Sequence, residues 1–378
     1  MNIQEILSRA PKPHIPKKLP LDNIANLIVQ DPEIIKLLGQ ANSSLGVYSG
    51  ILMNNVSNPS LLISPLISNE AVLSSKLEGT HATLDDFINF DAGNNVKIEK
   101  DEMHEIFNYR KALYYAMDKM SDIKDTNSNK LPLSSRLIKE IHAILLDNVR
   151  GSTKSPGKYK TEQNYIGGVN GITFTPLPPD LTDDYMHNLE QYIHNEDEDV
   201  ILQSALIHVQ FEMIHPFKDG NGRIGRLLIP LFLYYRNEIP LPTFYMSEYF
   251  ESDRSLYLQC LSEVSINNNF IPWIKYYLNG IIAQASKNII KVNKILELYD
   301  DFKKICFDKI NSIHAIKALD FIFQHPAVKT KQLSDHLGVS QKTALSLLKN
   351  FSELGILTHN DVKRNITFYC NSIINSIR

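Results

Sequence analysis

The chain contains the run His215-Pro216-Phe217-Lys218-Asp219-Gly220-Asn221-Gly222-Arg223-Ile224-Gly225-Arg226 between two apolar helical stretches. Its residue types suit anion chemistry. Gly220 and Gly222 permit positive φ and close approach, so successive N–H groups can converge on an anion at the start of the following helix. Arg223 and Arg226, three apart, share a helix face, and guanidinium groups can bind phosphate oxygens through two parallel bonds. Asp219 offers a hard oxygen beside them, as Mg²⁺ takes when it binds mainly through substrate phosphates. His215, ending the preceding helix, titrates near neutrality and suits a general base. Together they make a cradle for a polyphosphate, with a carboxylate for a cation and an imidazole for a proton.

Other patterns overlap the same residues. Gly220-Asn221-Gly222-Arg223-Ile224-Gly225 also matches a dinucleotide fingerprint, with Glu238 placed for a ribose, but that motif must follow a strand and Leu202 to Ile214 reads as helix. Glu212-x-x-His215 is half of a di-iron helix motif and is discounted, since the other Glu-x-x-His in the chain, Glu78 to His81, runs through Gly79 rather than along a helix former. Arg223 and Arg226 could also be solvated helix charges.

The run from His215 to Arg226 resembles the Fic family of nucleotidyl transferases at every defined position of the signature His-x-Phe-x-Asp/Glu-Gly-Asn-Gly-Arg-x-x-Arg. The similarity extends to Phe211, Glu212 and Ile214 before it and to the stretch from Tyr245 to Tyr257 after it. The resemblance implies AMP transfer from Mg-ATP to a Ser, Thr or Tyr hydroxyl of a target protein and of the enzyme itself. In that frame His215 is the base, Asp219 holds Mg²⁺, and the amides of Gly220, Asn221 and Gly222 face the α-phosphate. Arg223 meets the β-phosphate and Arg226 the γ-phosphate, with Ile224 and Gly225 in the same ATP-binding stretch and Phe217 anchoring the loop. Tyr249 and Asp253 would lie near the nucleoside, where relatives often carry Asn in place of Asp253. Ser74-Ser75-Lys76-Leu77-Glu78-Gly79 fits the family's inhibitory motif, in which Glu78 would take the place of the γ-phosphate on Arg226. In some relatives the same glutamate helps water remove AMP. The segment Tyr165–Pro176 lies where the family has the flap that docks a target segment by strand addition.

These residues need a helical frame. From about Asp22 to Leu278 apolar residues recur at three- and four-residue spacing, as in Ile201, Ala205 and Val209. Ser134 before Arg136-Leu137-Ile138, and Thr83 with Asp86 three residues on, are helix starts. The exception is Tyr165–Pro176, where β-formers flank Asn170-Gly171, a hairpin signal that also fits a solvent-exposed loop. Pro11, Pro13, Pro16 and Pro20 predict an extended, solvated arm.

The tail is basic. Its eight cations Lys317, Lys329, Lys331, Lys342, Lys349, Lys363, Arg364 and Arg378 outnumber Asp320, Asp335, Glu353 and Asp361. Leu333 to Ser340 followed by Thr343-Ala344 resembles a helix-turn-helix with Gly338 in the turn, and Asp361 to Tyr369 suggests a wing. DNA or a protein is the partner expected there, so the alternative function is a DNA-binding regulator whose Fic-like site senses nucleotide.

The 378 residues exceed what one core usually organises, and the formal charge of -3 does not by itself attract nucleic acid or membrane. Cys260, Cys306 and Cys370 are too few and too scattered for a disulfide framework or thiolate zinc site. No basic start with an apolar stretch opens the chain, and no run of eighteen apolar residues occurs, so a cytoplasmic protein without a membrane partner is expected. The expected fold is mainly α: a Fic helical core with a short β-hairpin flap, plus a C-terminal winged helix. The expected boundaries are 1–21 (Pro-rich arm), 22–130 (N-terminal helices with the inhibitory helix), 131–282 (Fic core), 283–310 (helical linker) and 311–378 (winged helix-turn-helix). Homo-oligomerisation is left open.

Overall fold

The computed structural model describes residues 10–22, 24–55, 60–120, 131–149, 151–168, 171–196, 199–360 and 365–378. Asn170 of the hairpin signal, and Asp361, Val362, Lys363 and Arg364 of the expected wing, lie outside them.

The first half is helical: α1 (Ile24–Val29), α2 (Pro32–Asn55), α3 (Ser60–Leu77), α4 (Leu84–Asp91), α5 (Lys100–Lys119) and α6 (Ser135–Leu145). Strands β1 (Ile166–Gly168) and β2 (Gly171–Phe174) pair antiparallel, Ile166 opposite Phe174 and Gly168 opposite Gly171. Then come α7 (Thr182–Ile193), α8 (Val200–Ile214), α9 (Asn221–Tyr235), α10 (Ser247–Ser252), α11 (Arg254–Asn267) and α12 (Ile271–Lys309). The tail runs α13 (Ala315–Gln324), β3 (Ala327–Lys329), α14 (Thr330–Leu337), α15 (Gln341–Glu353), β4 (Thr358–His359), β5 (Thr367–Tyr369) and α16 (Asn371–Ile377). Its strands form an antiparallel sheet in the order β3-β5-β4.

Local chemistry sets the helix starts. Thr83 and Asp86 bond each other's backbone in a capping box, and Ser134 accepts the Leu137 N–H. Helix α8 is apolar on all sides and accordingly buried, with only Val200 and Glu212 outside its buried set. Several polar groups that it carries inward are satisfied: Gln203 Nε2 donates to Tyr192 O and Asn195 O, and Ser204 Oγ meets Tyr277 Oη at 2.7 Å, whereas the buried Glu212 Oε1 has no hydrogen-bond partner among the described residues. Trp273 Nε1 donates to Ala205 O at 2.9 Å, tying α12 to α8. Helix α12 packs on α2, α8, α10 and α11 and continues against α13 and α16, so one rod spans the core and the tail. The three cysteines are free and buried. Among the described residues no helix is long and apolar enough to cross a membrane.

The proline-rich arm is extended and mostly exposed, and it is also tied to the body at several points. His14 N–H bonds Thr175 O at 2.8 Å, Gln210 Nε2 donates to Lys17 O, and Asn188 takes the Leu19 N–H and returns its own amide to Leu19 O. An extended backbone leaves its carbonyls unpaired, and side chains of α7 and α8 take them.

Helix α3 is held from two sides, by α5, α9 and α10 and, opposite, by α13 and α16. Asp91, ending α4, joins the tail to the body. Its carboxylate binds Arg110 at 2.8 Å and His325 Nδ1 at 3.2 Å, and its carbonyl accepts from Gln332 Nε2. Burial pushes the Asp91 carboxyl up, but the bonds from His325 and Arg110 outweigh that and hold it at about 2. A carboxyl depressed by folding stabilises the fold above its ordinary value, and that stability fades as pH falls toward the depressed one. Asp91→Asn should therefore lose roughly 2 kcal/mol at neutral pH, and urea unfolding should show the gap to wild type closing between about pH 4 and pH 2.

Candidate active site

The loop between α8 and α9 begins at His215, whose backbone is left-handed, φ 49 and ψ 61. That conformation is unfavourable for a residue with a Cβ, so neighbours must hold it. Lys160 donates its N–H to Pro216 O at 2.8 Å and its ammonium to Ile214 O at 2.9 Å. Asn164, at the base of the β1–β2 hairpin, donates to Phe217 O at 2.6 Å. Asn221 Oδ1 accepts the Phe217 N–H, and Asn221 Nδ2 donates to Phe217 O at 2.7 Å, closing the loop on itself. Phe217 is fully buried and stacks on His142 with ring centroids 3.7 Å apart. Because Gly157 N–H donates to His142 Nδ1, the ring hydrogen sits on Nε2, which donates to Asp219 O at 2.9 Å. Burial lowers the His142 imidazole to about 4, so it is neutral.

The next turn opens toward an anion. Gly220, the N-cap of α9, has φ 76, and its amide turns back to Asp219 Oδ1 at 2.6 Å. The first helical bond runs from Ile224 N–H to Gly220 O, leaving the amides of Asn221, Gly222 and Arg223 as the unpaired donors of a helix start. The Gly220 and Ile224 amides are thus engaged within the loop, and the Ile224 side chain lies in the core. At Gly222 a Cβ would fall 2.2 Å from Glu78 Oε1, so only glycine leaves room for the carboxylate that sits there. At Gly225 a Cβ would meet Glu212 Oε1 at 2.3 Å.

Both arginines are buried and paired. Arg223 Nη1 bonds Glu105 Oε2 at 3.0 Å, and its Nη2 lies 3.6 Å from Asp219 Oδ1. Arg226 donates from Nε to Ser74 Oγ at 2.8 Å, and from Nη2 to Ser74 O at 2.9 Å and Glu78 Oε1 at 2.6 Å. Gly79, next to Glu78, turns the chain with φ 94. Burial raises the Glu78 carboxyl, yet the Arg226 charge beside it prevails and holds it below the usual range. Glu70, on α3 eight residues before Glu78, accepts from Tyr109 Oη and Ser247 Oγ and is raised by burial to about 7. His215 is lowered to about 4, chiefly by burial and next by the Lys160 charge, so the imidazole is in its base form at neutral pH.

Asp219 fits a cation through one carboxylate: Oδ1 is committed to the Gly220 amide, and the side chain is partly exposed. Among the described residues no three His, Cys, Asp or Glu side chains gather as a ligand set, so phosphate oxygens and water would have to complete the shell. The Glu78 carboxylate over Gly222 already places an anion in the cradle, which is the fit a phosphate requires. The helical conformation of α8 removes the strand that a dinucleotide fingerprint needs.

Tyr249 and Asp253 lie further along. Tyr249 packs on Tyr276, 5.0 Å between centroids, and both line a groove of about 540 Å³ with Leu256, Cys260, Pro272 and Asn279. Asp253 instead caps α11, accepting the Leu256 N–H at 2.9 Å. One ring inward, Tyr257 Oη meets His208 Nε2 at 2.9 Å, and His208 Nδ1 faces Gly225 O at 3.0 Å, so the ring donates to that carbonyl and accepts from Tyr257.

Glu105, Glu70, His142, Lys160 and Asn164 belong to no motif in the sequence. All but Glu70 bond the loop or its arginines from at least fifty positions away, and the local trace is the presence of a polar residue in an apolar helical face at Glu70, Glu105 and His142.

Comparison with known proteins gives a consistent assignment. Residues 132–233 match the Fic/DOC family model and residues 35–118 match the model for the Fic/DOC family N-terminal region. A probable protein adenylyltransferase of Aquifex aeolicus is 41% identical over 62 residues, 16% of this chain and 19% of that protein. The protein adenylyltransferase fic-1 of Caenorhabditis briggsae is 30% identical over 132 residues, 31% of this chain and 25% of that protein. The chain thus spans about a fifth to a quarter of the length of these curated relatives. A Fic family protein from Desulfovibrio desulfuricans G20 shares the fold at 19% identity with a TM-score of 0.58, over 90% of this chain and 96% of that one.

The Arg223–Glu105 pair is 2% exposed on both sides. Removing one partner of such a pair strands a buried charge, so Glu105→Ala should cost about 3–5 kcal/mol in chemical unfolding.

Proposed function

We propose, from the premise that the chain is a Fic/DOC family protein related to protein adenylyltransferases, that it transfers AMP from Mg-ATP to a protein hydroxyl. The observation that carries this is the anion cradle: open amides of Asn221, Gly222 and Arg223, backed by Arg226, and filled by the Glu78 carboxylate at 2.6 Å from that arginine. A triphosphate offers negative charge to the same donors.

In the proposed reaction the target hydroxyl oxygen bonds to the α-phosphorus while the bond to the bridging oxygen of the β-phosphate breaks and pyrophosphate leaves. The hydroxyl proton goes to His215, whose imidazole is unprotonated at neutral pH. The helix-start amides lie where negative charge grows on the α-phosphate, and Arg223, with Glu105 fixing its plane, serves the β-phosphate. Mg²⁺, held through Asp219, would neutralise phosphate charge as the bond to pyrophosphate breaks. The groove of Tyr249 and Tyr276 offers aromatic faces for the adenine, and Asp253 supports that wall as the cap of α11. The target lies along the β1–β2 flap within Tyr165–Pro176, which Asn164 joins to the Phe217 carbonyl of the loop.

Glu78 is the off-switch in this account. While it holds Arg226, the γ-phosphate lacks its partner and ATP cannot lie with its α-phosphate in line. A charged hydrogen bond worth roughly 1.5–3 kcal/mol favours the closed state by about ten- to a hundredfold. Glu78→Gly should raise transfer of label from α-labelled ATP, to the enzyme itself and to proteins of an extract, by about that factor. Adding His215→Ala should abolish it. Unchanged labelling in folded Glu78→Gly removes the switch, and labelling that survives His215→Ala removes the mechanism. Removal of AMP by a Glu78-assisted water is the reverse use of the same site, and loss of label from a modified target in wild type but not in Glu78→Gly would reveal it.

The tail supports a second function. Helix α15, capped by Ser340 and joined to α14 through Gly338 at φ 65, presents Gln341, Lys342, Thr343, Ser346 and Lys349 to solvent, with the acidic Glu353 exposed at its last residue. We read α14 and α15 with the β3-β5-β4 sheet as a winged helix-turn-helix, with α15 as the helix that meets the major groove. The full chain should retard duplex DNA in a gel at low salt, less so as salt rises, and Lys342→Glu with Lys349→Glu should abolish the shift. No retardation at low salt rejects DNA and leaves protein docking for this face.

A further inference from the structure

Lys160 stands outside every motif and yet brackets the reacting imidazole. It is 3% exposed. Its N–H reaches Pro216 O and its ammonium Ile214 O, the carbonyls on either side of His215. Among the described residues no carboxylate pairs with the ammonium, and a buried cation without a counter-ion is costly. A neutral amide could satisfy the Ile214 carbonyl at lower cost, so the bond alone does not account for a lysine here.

The field of that charge does account for it. The groups that face the imidazole are Lys160 from the segment before the hairpin, Glu78 from the end of α3 and the Glu212 carbonyl of α8. After burial, the Lys160 charge is the largest influence, and it opposes the other two by disfavouring the imidazolium. Burial lowers Lys160 itself to about 7, so it is charged across the acidic range in which the imidazole titrates.

We infer that Lys160 is a positioning residue for His215: it staples the turn that carries the imidazole and, as an unpaired cation beside it, keeps that imidazole unprotonated and ready to accept a proton. Its role in turnover rests on the AMP-transfer reading, whereas its effect on the imidazole does not.

The test is an NMR titration of the full chain with carbon-13-labelled histidine, the His215 signal being the one that His215→Ala removes. Lys160→Gln keeps a donor without the charge, and Lys160→Arg keeps both. The His215 midpoint should rise in Lys160→Gln toward the ordinary imidazole value and stay near wild type in Lys160→Arg. If Lys160→Gln does not fold, Lys160→Met takes its place with the same expectation. Equal midpoints in wild type and the uncharged variant, or an Arg variant that behaves like the uncharged one, overturn the inference. In the Glu78→Gly background, Lys160→Gln should transfer AMP roughly tenfold more slowly at about pH 5.5 than at about pH 7.5, while the chain with Lys160 varies less. If no chain transfers AMP but the midpoints move as stated, the AMP-transfer reading fails and the placement of Lys160 stands.

Discussion

Two guanidinium groups buried one helical turn apart at the start of α9 must each be neutralised, and the packing of the N-terminal half follows from that requirement. Arg223 and Arg226 are 1% and 3% exposed, and a buried charge is tolerable only when paired and hydrogen-bonded. Helix α5 brings Glu105 to the first. Helix α3 brings Ser74 and Glu78 to the second. The helices that precede the loop are therefore its counter-charge as well as its neighbours. The two pairs differ in a way that matters for function: Glu105 is enclosed, whereas Glu78 is about a third exposed and sits at the end of its helix. The first suits a permanent brace and the second a contact that can be exchanged for a phosphate.

Around the charges, the loop is made rigid by neutral groups. His142 is deprotonated by burial, accepts from one backbone amide, donates to the carbonyl of Asp219 and stacks on Phe217. Asn221 and Asn164 bind the backbone of Phe217. Fixed donors and fixed rings leave little reorganisation for a reacting group, which is how an enclosed polar site stabilises developing charge. Further out, α12 carries the tail along the core, and α13 and α16 cover the side of α3 away from the loop. The position of Glu78 is thus set by the helices around the loop and by the tail together.

Much of the frame was legible from short-range pattern. Thr83 with Asp86 and Ser134 before Leu137 are caps because their bonds span three residues. The stretch before His215 reads as helix from its apolar spacing, but nothing local announced that Gln203, His208 and Gln210 within it would be buried. The attachment of the arm was not legible, because proline content reports backbone conformation and says nothing about the carbonyls that Asn188 and Gln210 take up.

By itself the sequence determined the residue types of the loop, the glycines that admit an anion, and the helices on either side, because these depend on spacings of a few residues and on the bonds that such spacings allow. Beyond the Glu78–Arg226 pair that the resemblance named, only the tertiary structure decided which groups meet. Glu105 reaches Arg223 from 118 positions away, His142 reaches Asp219 from 77, and Lys160 reaches Ile214 from 54. Proton affinity followed the same division: an isolated imidazole titrates near neutrality, and it is enclosure together with one buried ammonium that lowers His215 to about 4. Burial and long-range pairing are properties of the packed chain, and no local pattern encodes them.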